Sequence, residues 1–232
     1  MIPGIIEEIM CFALILSGWT RTSVPSMKYS RGGSIAKFKY KSYGQYLLLQ
    51  REYSQKRKFR TRRREKRRQW VIDNIRSHNV EGRTVLCVGA RDDSEVATFI
   101  NNGYKAMGID LFETQLIIEC DMSRMYEHPT LKNMKFDIVI ALEALEHCLD
   151  FDGLLQSLRL VCAGYFVCMF PILDKPDWWD CNIPDFLAYL GTDEYDDALA
   201  ASFPGFEIVI NEVHKPQSRI KRGYFILKRT TE

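Results

Sequence analysis

Residues 85–110 read VLCVGARDDSEVATFINNGYKAMGID, and the texture of the chain changes three times within them. An apolar run stops at Gly89, a polar stretch follows, and apolar residues then recur at Val96, Phe99 and Ile100 with helical spacing. Ser94 is placed to cap that helix and Gly103 to stop it. A second apolar run ends in Gly108, Ile109 and Asp110. Strand, helix and strand joined by such short connections form a unit whose two strands lie parallel.

Outward toward the C-terminus the same alternation continues. Seven candidate strands are expected at 84–90, 105–110, 116–120, 136–142, 165–172, 207–214 and 223–228. The first five are apolar throughout, as strands covered on both faces must be. Asp150 or Asp152 can start a helix whose face is Phe151, Leu154, Leu155, Leu158 and Val161. Only residues 215–222 separate the last two strands, too few for a crossover helix, so these two pair antiparallel at or near the sheet edge. The fold class is therefore α/β, a doubly wound seven-stranded, mostly parallel sheet with an antiparallel C-terminal pair.

Outward toward the N-terminus the composition shifts. Between residues 21 and 69 there are 17 Lys and Arg against two acids, a net +15, whereas residues 70–232 carry −11. The division reads as an apolar N-terminal segment (1–20), a basic arm that passes from linker to helix (21–69), and one domain (70–232). The run KRKFRTRRREKRR, from Lys56 to Arg68, is either a solvated helix face or a contact for RNA or another polyanion. The apolar run from Ile9 to Trp19 is too short to span a bilayer and follows two acids, Glu7 and Glu8, where a secretory signal carries positive charge. It is expected to pack on the domain or on a partner protein, with membrane association as the alternative. The seven cysteines form no CxxC pair and no zinc spacing, so they read as reduced core residues. The expected location is cytoplasmic.

In open α/β sheets a ligand lies beyond the carboxyl ends of the strands. Gly89 ends the first strand and lets the backbone approach a ligand closely. Arg91 stands where a dinucleotide site has its second glycine, which makes a pyrophosphate cradle a poor reading. Asp110 ends the second strand, placed to accept hydrogen bonds from both hydroxyls of a ribose. Asp121 follows the third strand, placed to take an amino group of adenine, with Met122 placed to cover the ring.

The order VLCVGA, GID, ECDM and FDIVIALEALEH resembles the class I S-adenosylmethionine-dependent methyltransferases, over about residues 70–232. The form VGARDDSEV is similar to a subgroup of the methyltransferase type 11 family. That resemblance implies S-adenosylmethionine as cofactor, with Gly89 at its methionine part, Asp110 at the ribose, Asp121 at the adenine and Glu143 lining it. Ala90, Arg91, Leu111 and Met122 complete the implied binding set. Against the family pattern, Cys87 holds the place of an acid usual two residues before the first glycine, and Arg91 and Asp93 replace the second and third glycines.

Glu146 and His147 are the candidate catalytic pair, one of them taking a proton from an O or N nucleophile. If a helical turn starts after the fourth strand, Glu143, Glu146 and His147 share a face and form a set for a divalent ion. The metal is not favoured, because LEH occurs metal-free at this point of the fold. No Asn-Pro-Pro-Tyr or Asp-Pro-Pro-Tyr follows the fourth strand, which disfavours the amino acceptors handled with that motif. Trp178 and Trp179 follow the fifth strand, where substrate loops lie, and either stack on a planar or sugar acceptor or serve in a lid or the core. The acceptor is open among small molecules, glycans and RNA. A second reading is an inactive protein of the same fold that binds nucleic acid or an anionic membrane through its arm.

Overall fold

The computed structural model of the protein describes residues 44, 48, 61–148, 150–172, 203–214 and 221–230. The apolar segment 9–19, most of the basic arm, Trp178 and Trp179 lie outside the described residues.

Seven strands form one sheet: β1 (Thr84–Val88), β2 (Lys105–Asp110), β3 (Ile117–Glu119), β4 (Phe136–Leu142), β5 (Cys162–Ile172), β6 (Phe206–His214) and β7 (Lys221–Arg229). Their order is β3-β2-β1-β4-β5-β7-β6. The first five run parallel, β7 pairs antiparallel with both β5 and β6, and the chain reverses its direction of winding between β1 and β4. All seven expected strands are present. Their ends differ by up to three residues: β5 begins at Cys162 rather than at residue 165, because it leaves the preceding helix without a loop.

Alternate residues of each strand enter two separate cores. Leu86, Val88, Val139, Ala141, Phe166, Cys168, Phe225 and Leu227 face helix α3 (Phe151–Val161), which contributes Leu154, Leu158 and Val161. Val85, Cys87, Ile138, Ile140, Val167, Met169 and Ile226 face the other way, toward α1 (Thr61–Ser77) and α2 (Asp93–Asn101). These two helices supply Val71, Ile72 and Ile75, and Val96 and Phe99. Each fully buried aliphatic side chain of this kind stabilises the fold by roughly 1.5–3 kcal/mol before conformational entropy is counted. Five cysteines, at 87, 120, 148, 162 and 168, are buried free thiols in these layers.

The helix ends follow from local chemistry. Asp150 starts α3, its carboxylate accepting from Gly153 N at 2.9 Å. For α2 the expected cap is corrected: Asp92, not Ser94, is the cap, with extended backbone and a carboxylate that accepts from Ser94 N at 3.0 Å. Ser94 already lies in the first turn, where its hydroxyl accepts from Arg68 Nη1 at 2.6 Å. At the other end Gly103 takes φ +93, Tyr104 N returns to Phe99 O, and Arg76 of α1 donates to the Asn102 carbonyl at 2.8 Å. α1 itself crosses residue 70 unbroken, so the last turns of the basic arm and the first of the domain are one helix.

At the amino end of the sheet Asp137 Oδ2 accepts from Arg83 N, Thr84 N and Thr84 Oγ1 at 2.8–2.9 Å, tying β4 to the start of β1. Those backbone N–H groups hold its pKa below the ordinary aspartate value despite some desolvation. Asp137→Ala is expected to cost about 2 kcal/mol at neutral pH, measured by urea unfolding. The difference from wild type shrinks as pH falls through the aspartate range, since a depressed carboxyl loses its advantage on protonation. An unchanged midpoint at pH 7 sinks the assignment.

Candidate functional site

The carboxyl ends of β1, β2 and β3 lie side by side, since Val88 pairs with Ile109 and Asp110 with Glu119. They bring Gly89, Asp110 and Asp121 to one rim. Gly89 and Ala90 both donate to the carbonyl of Ile109, at 2.9 and 3.1 Å, which folds the first turn onto the second strand. Gly89 has φ +67, and a Cβ added there would stand 2.6 Å from Ala144 Cβ in the turn after β4. The glycine thus meets a packing need. Met122 reaches back to the same place, its Cε 3.7 Å from that added Cβ.

Arg91 adopts φ +58, a left-handed conformation that glycine takes without strain. Its backbone N–H is compensated by Asp110 Oδ2 at 2.9 Å, while Asp110 Oδ1 accepts from Leu111 N at 2.6 Å. Burial pushes the Asp110 carboxyl upward, and these two bonds oppose it without cancelling it. Each oxygen keeps a lone pair for a hydroxyl donor. Asp121 accepts from both the backbone N and the hydroxyl of Ser123 on a single oxygen, Oδ1, at 2.8 Å, and burial likewise raises its pKa. Asp93, in the place of a third glycine, is put to structural use: its Oδ1 accepts from Leu116 N at 3.0 Å and from the Thr114 hydroxyl, fastening the loop before β3.

After β4 the expectation of one continuous helical turn fails. Glu143 is left-handed, with φ +55, and the following turn, Leu145–His147, is a separate 3₁₀ turn. Glu143 N donates to Met169 O, fixing the backbone to β5, and its carboxylate is gripped on both sides, by Arg67 and by Arg222, each at 2.5 Å. Burial works against its charge, but the two guanidiniums prevail and hold its pKa below the usual glutamate value. The continuous helical turn on which a shared face of residues 143, 146 and 147 depended is therefore not formed. Among the described residues no three His, Cys, Asp or Glu side chains are grouped as a metal site. His147 stays close to the Gly89 rim, because its turn begins next to Ala144, the residue that touches Gly89.

The sequence reading did not place Arg64, Arg67, Arg68 or Glu95 at the site. The stripe that buries Val71, Ile72 and Ile75, continued toward the start of α1 at the helical period, lands on Arg67 and Arg68 and then on Arg64. That continuation was the available signal, hidden inside the run from Lys56 to Arg68. These guanidiniums lean over the first turn and, with Gly89, Arg91, Glu95 and Glu143, line a narrow cleft. Arg68 is buried, bonded to Ser94 and Asp92, with its Nε 3.5 Å from Glu95 Oε2. Arg64 pairs with Asp92 at 3.8 Å. Glu95 is buried in the first turn of α2, and desolvation pushes its carboxyl up to about 8, with Arg68 opposing and Asp92 and Asp110 adding to the rise.

No protein-family model matches this sequence, and no curated protein does. Solved structures do. A protein of Pyrococcus horikoshii OT3 superposes with a TM-score of 0.56 at 12% identity, over 77% of this chain and 99% of that one. The 1,6-didemethyltoxoflavin-N1-methyltransferase of Burkholderia thailandensis, solved with its 1,6-didemethyltoxoflavin and S-adenosylhomocysteine, superposes with 0.51 at 16% identity, over 68% and 76%. The fold is that of the class I S-adenosylmethionine-dependent methyltransferases. Among the described residues no helix is long and apolar enough to cross a membrane.

Two measurements probe this rim. Gly89→Ala combines a left-handed backbone with the contact to Ala144, and is expected to lower stability by about 1–3 kcal/mol. A thermal midpoint equal to wild type excludes that contact. The folded pKa of Glu95 lies above its unfolded value of about 4.3, so the native state holds more protons between the two. Stability contributed there falls as pH rises from about 4.5 to 8 and levels off above. Glu95→Gln should gain several degrees in midpoint relative to wild type across that window, and parallel curves count against the burial of a free carboxyl.

Proposed function

We propose that this protein is an S-adenosylmethionine-dependent methyltransferase acting on an O or N nucleophile. The observation that carries the reading is the delivery of Gly89, Asp110 and Asp121 to one rim by three adjacent parallel strands. Asp110 would hold the ribose, its carboxylate already oriented by Arg91 N and Leu111 N. Asp121 would take the adenine amino group through Oδ2, the oxygen that Ser123 leaves uncommitted, with Met122 over the ring. Ala90, Arg91 and Leu111 present their backbone to the same nucleoside. Bound there, the cofactor supplies an electrophilic methyl group on a sulfonium.

The protein's own part is alignment and proton removal. Glu146 and His147, in the turn that adjoins Gly89, are the candidates to take the proton from the acceptor as it is methylated. Glu143, locked between Arg67 and Arg222, serves as a wall and a tie, since a carboxylate so paired is a poor base. The likeness to a ring-nitrogen methyltransferase favours an acceptor of small-molecule size over RNA. The inward turn of Arg64, Arg67 and Arg68 points the same way, by taking three cations from any polyanion surface.

Asp110→Ala is expected to weaken S-adenosylmethionine binding by roughly 100-fold or more, since two charge-assisted bonds to the ribose are lost. Titration calorimetry on a chain shown to be folded by circular dichroism reads this directly. Wild-type affinity in that variant removes the cofactor site from this rim. Transfer of labelled methyl to RNA that falls steeply from low to moderate salt would move the acceptor to nucleic acid, and a salt-insensitive transfer to a small molecule supports the present reading.

A further inference from the structure

A buried carboxylate normally has both oxygens bonded. Glu95 does not: Oε1 is enclosed and without a hydrogen-bond partner, and Oε2 has only Arg68 Nε at 3.5 Å, too far for a good bond. Arg68 Nε is itself enclosed and unbonded. Both residues line the cleft that opens at Gly89 and Ala90. An orphaned acceptor at such a place is destabilising, and a cationic donor arriving from the cleft would offset that cost. Strand β1 offers no charge of its own there, since the inward residue two before Gly89 is Cys87, near enough to Glu95 for that carboxyl to raise the thiol's pKa after burial has done so.

Around the same opening stand the guanidiniums of Arg64, Arg67 and Arg91. A carboxylate wall flanked by guanidiniums suits a ligand that carries an ammonium next to a carboxylate. A metal ion suits it poorly, because no second or third acid among the described residues joins Glu95 as a ligand set. We infer that Glu95, from the first turn of α2, receives the α-ammonium group of the amino-acid end of the bound cofactor, with the arginines of α1 beside it for the carboxylate. This rests on the methyltransferase reading above and assigns a residue that the strand-tip pattern does not contain.

The groups facing Glu95 are Arg64 and Arg68 from α1, Asp92 from its own cap, Asp110 from β2 and Cys87 from β1. With its carboxyl pushed up to about 8 by burial, Glu95 holds a proton at neutral pH. An arriving ammonium displaces that proton, so binding releases it to solvent.

The test uses the full chain and three probes: S-adenosylhomocysteine, its analogue lacking the amino group, and 5′-methylthioadenosine, which lacks the whole amino-acid end. Calorimetry at pH 7 in two buffers of different ionisation enthalpy gives affinity and proton release together. Wild type is expected to release a fraction of a proton with S-adenosylhomocysteine and none with the other two probes. Glu95→Gln should abolish that release and weaken S-adenosylhomocysteine about 10- to 100-fold, while 5′-methylthioadenosine changes less than about threefold. The analogue lacking the amino group should bind wild type and variant alike, which separates the loss of the ammonium contact from the change in stability that the substitution brings. Equal affinity of S-adenosylhomocysteine for both proteins, or an equal loss of all three probes, overturns the role of Glu95 and leaves the cofactor site standing. Failure of wild type to bind any of the three overturns the methyltransferase reading and this inference with it.

Discussion

A sheet covered on both faces has nowhere to put polar chemistry except along its two ends, and that constraint organises this molecule. Strands β1 and β4 are apolar on either side, with Val85, Leu86, Cys87 and Val88 and Ile138 to Ala141 fully buried. Every charged residue that follows a strand is therefore forced to the rim. Because β1 to β5 run parallel, their carboxyl ends gather at the same rim, and the reversal of winding between β1 and β4 opens a crevice there. Gly89 and Ala144, in contact across that crevice, set how closely its two sides approach.

A second layer of order comes from α1. Its C-terminal half is anchored by Val71, Ile72 and Ile75, and its N-terminal half continues the same stripe in arginine. Arginine suits such a seam: its long apolar stem packs while its planar head meets carboxylates. Arg67 and Arg222 meet at Glu143, so α1, the β4 turn and β7 share one charged junction. The strain of a left-handed glutamate is tolerated where its N–H is bonded to β5 and its carboxylate is held twice.

The sequence made the sheet legible because a strand buried on both faces is apolar at every position, a pattern few other elements imitate. The terminal pair was legible from the shortness of the connection between its members. The cap of α2 was misread because Asp92, Asp93 and Ser94 are adjacent and all have capping side chains; only the extended backbone of Asp92 decides among them. The positive φ of Arg91 and Glu143 could not be read, since neither residue type favours it and each is held there by partners distant in the chain. Arg64, Arg67 and Arg68 were masked by their neighbours: in a run of ten basic residues, inward and outward cations look alike. Glu95 was hidden by the ordinary preference for acids at a helix start, which accounts for it without any ligand.

The order β5-β7-β6 means that β6, made first, cannot dock until β7 has arrived to lie between it and β5. While the ribosome is still adding β7, the flank of β5 that carries Phe166 to Phe170 has no neighbour on that side, and neither has β6. A chain in which β7 has not yet docked thus presents an open strand edge next to aromatics that the finished sheet buries. Folding catalysts or chaperones would find their target at that stage, and a pause in translation just before residue 221 would lengthen its exposure.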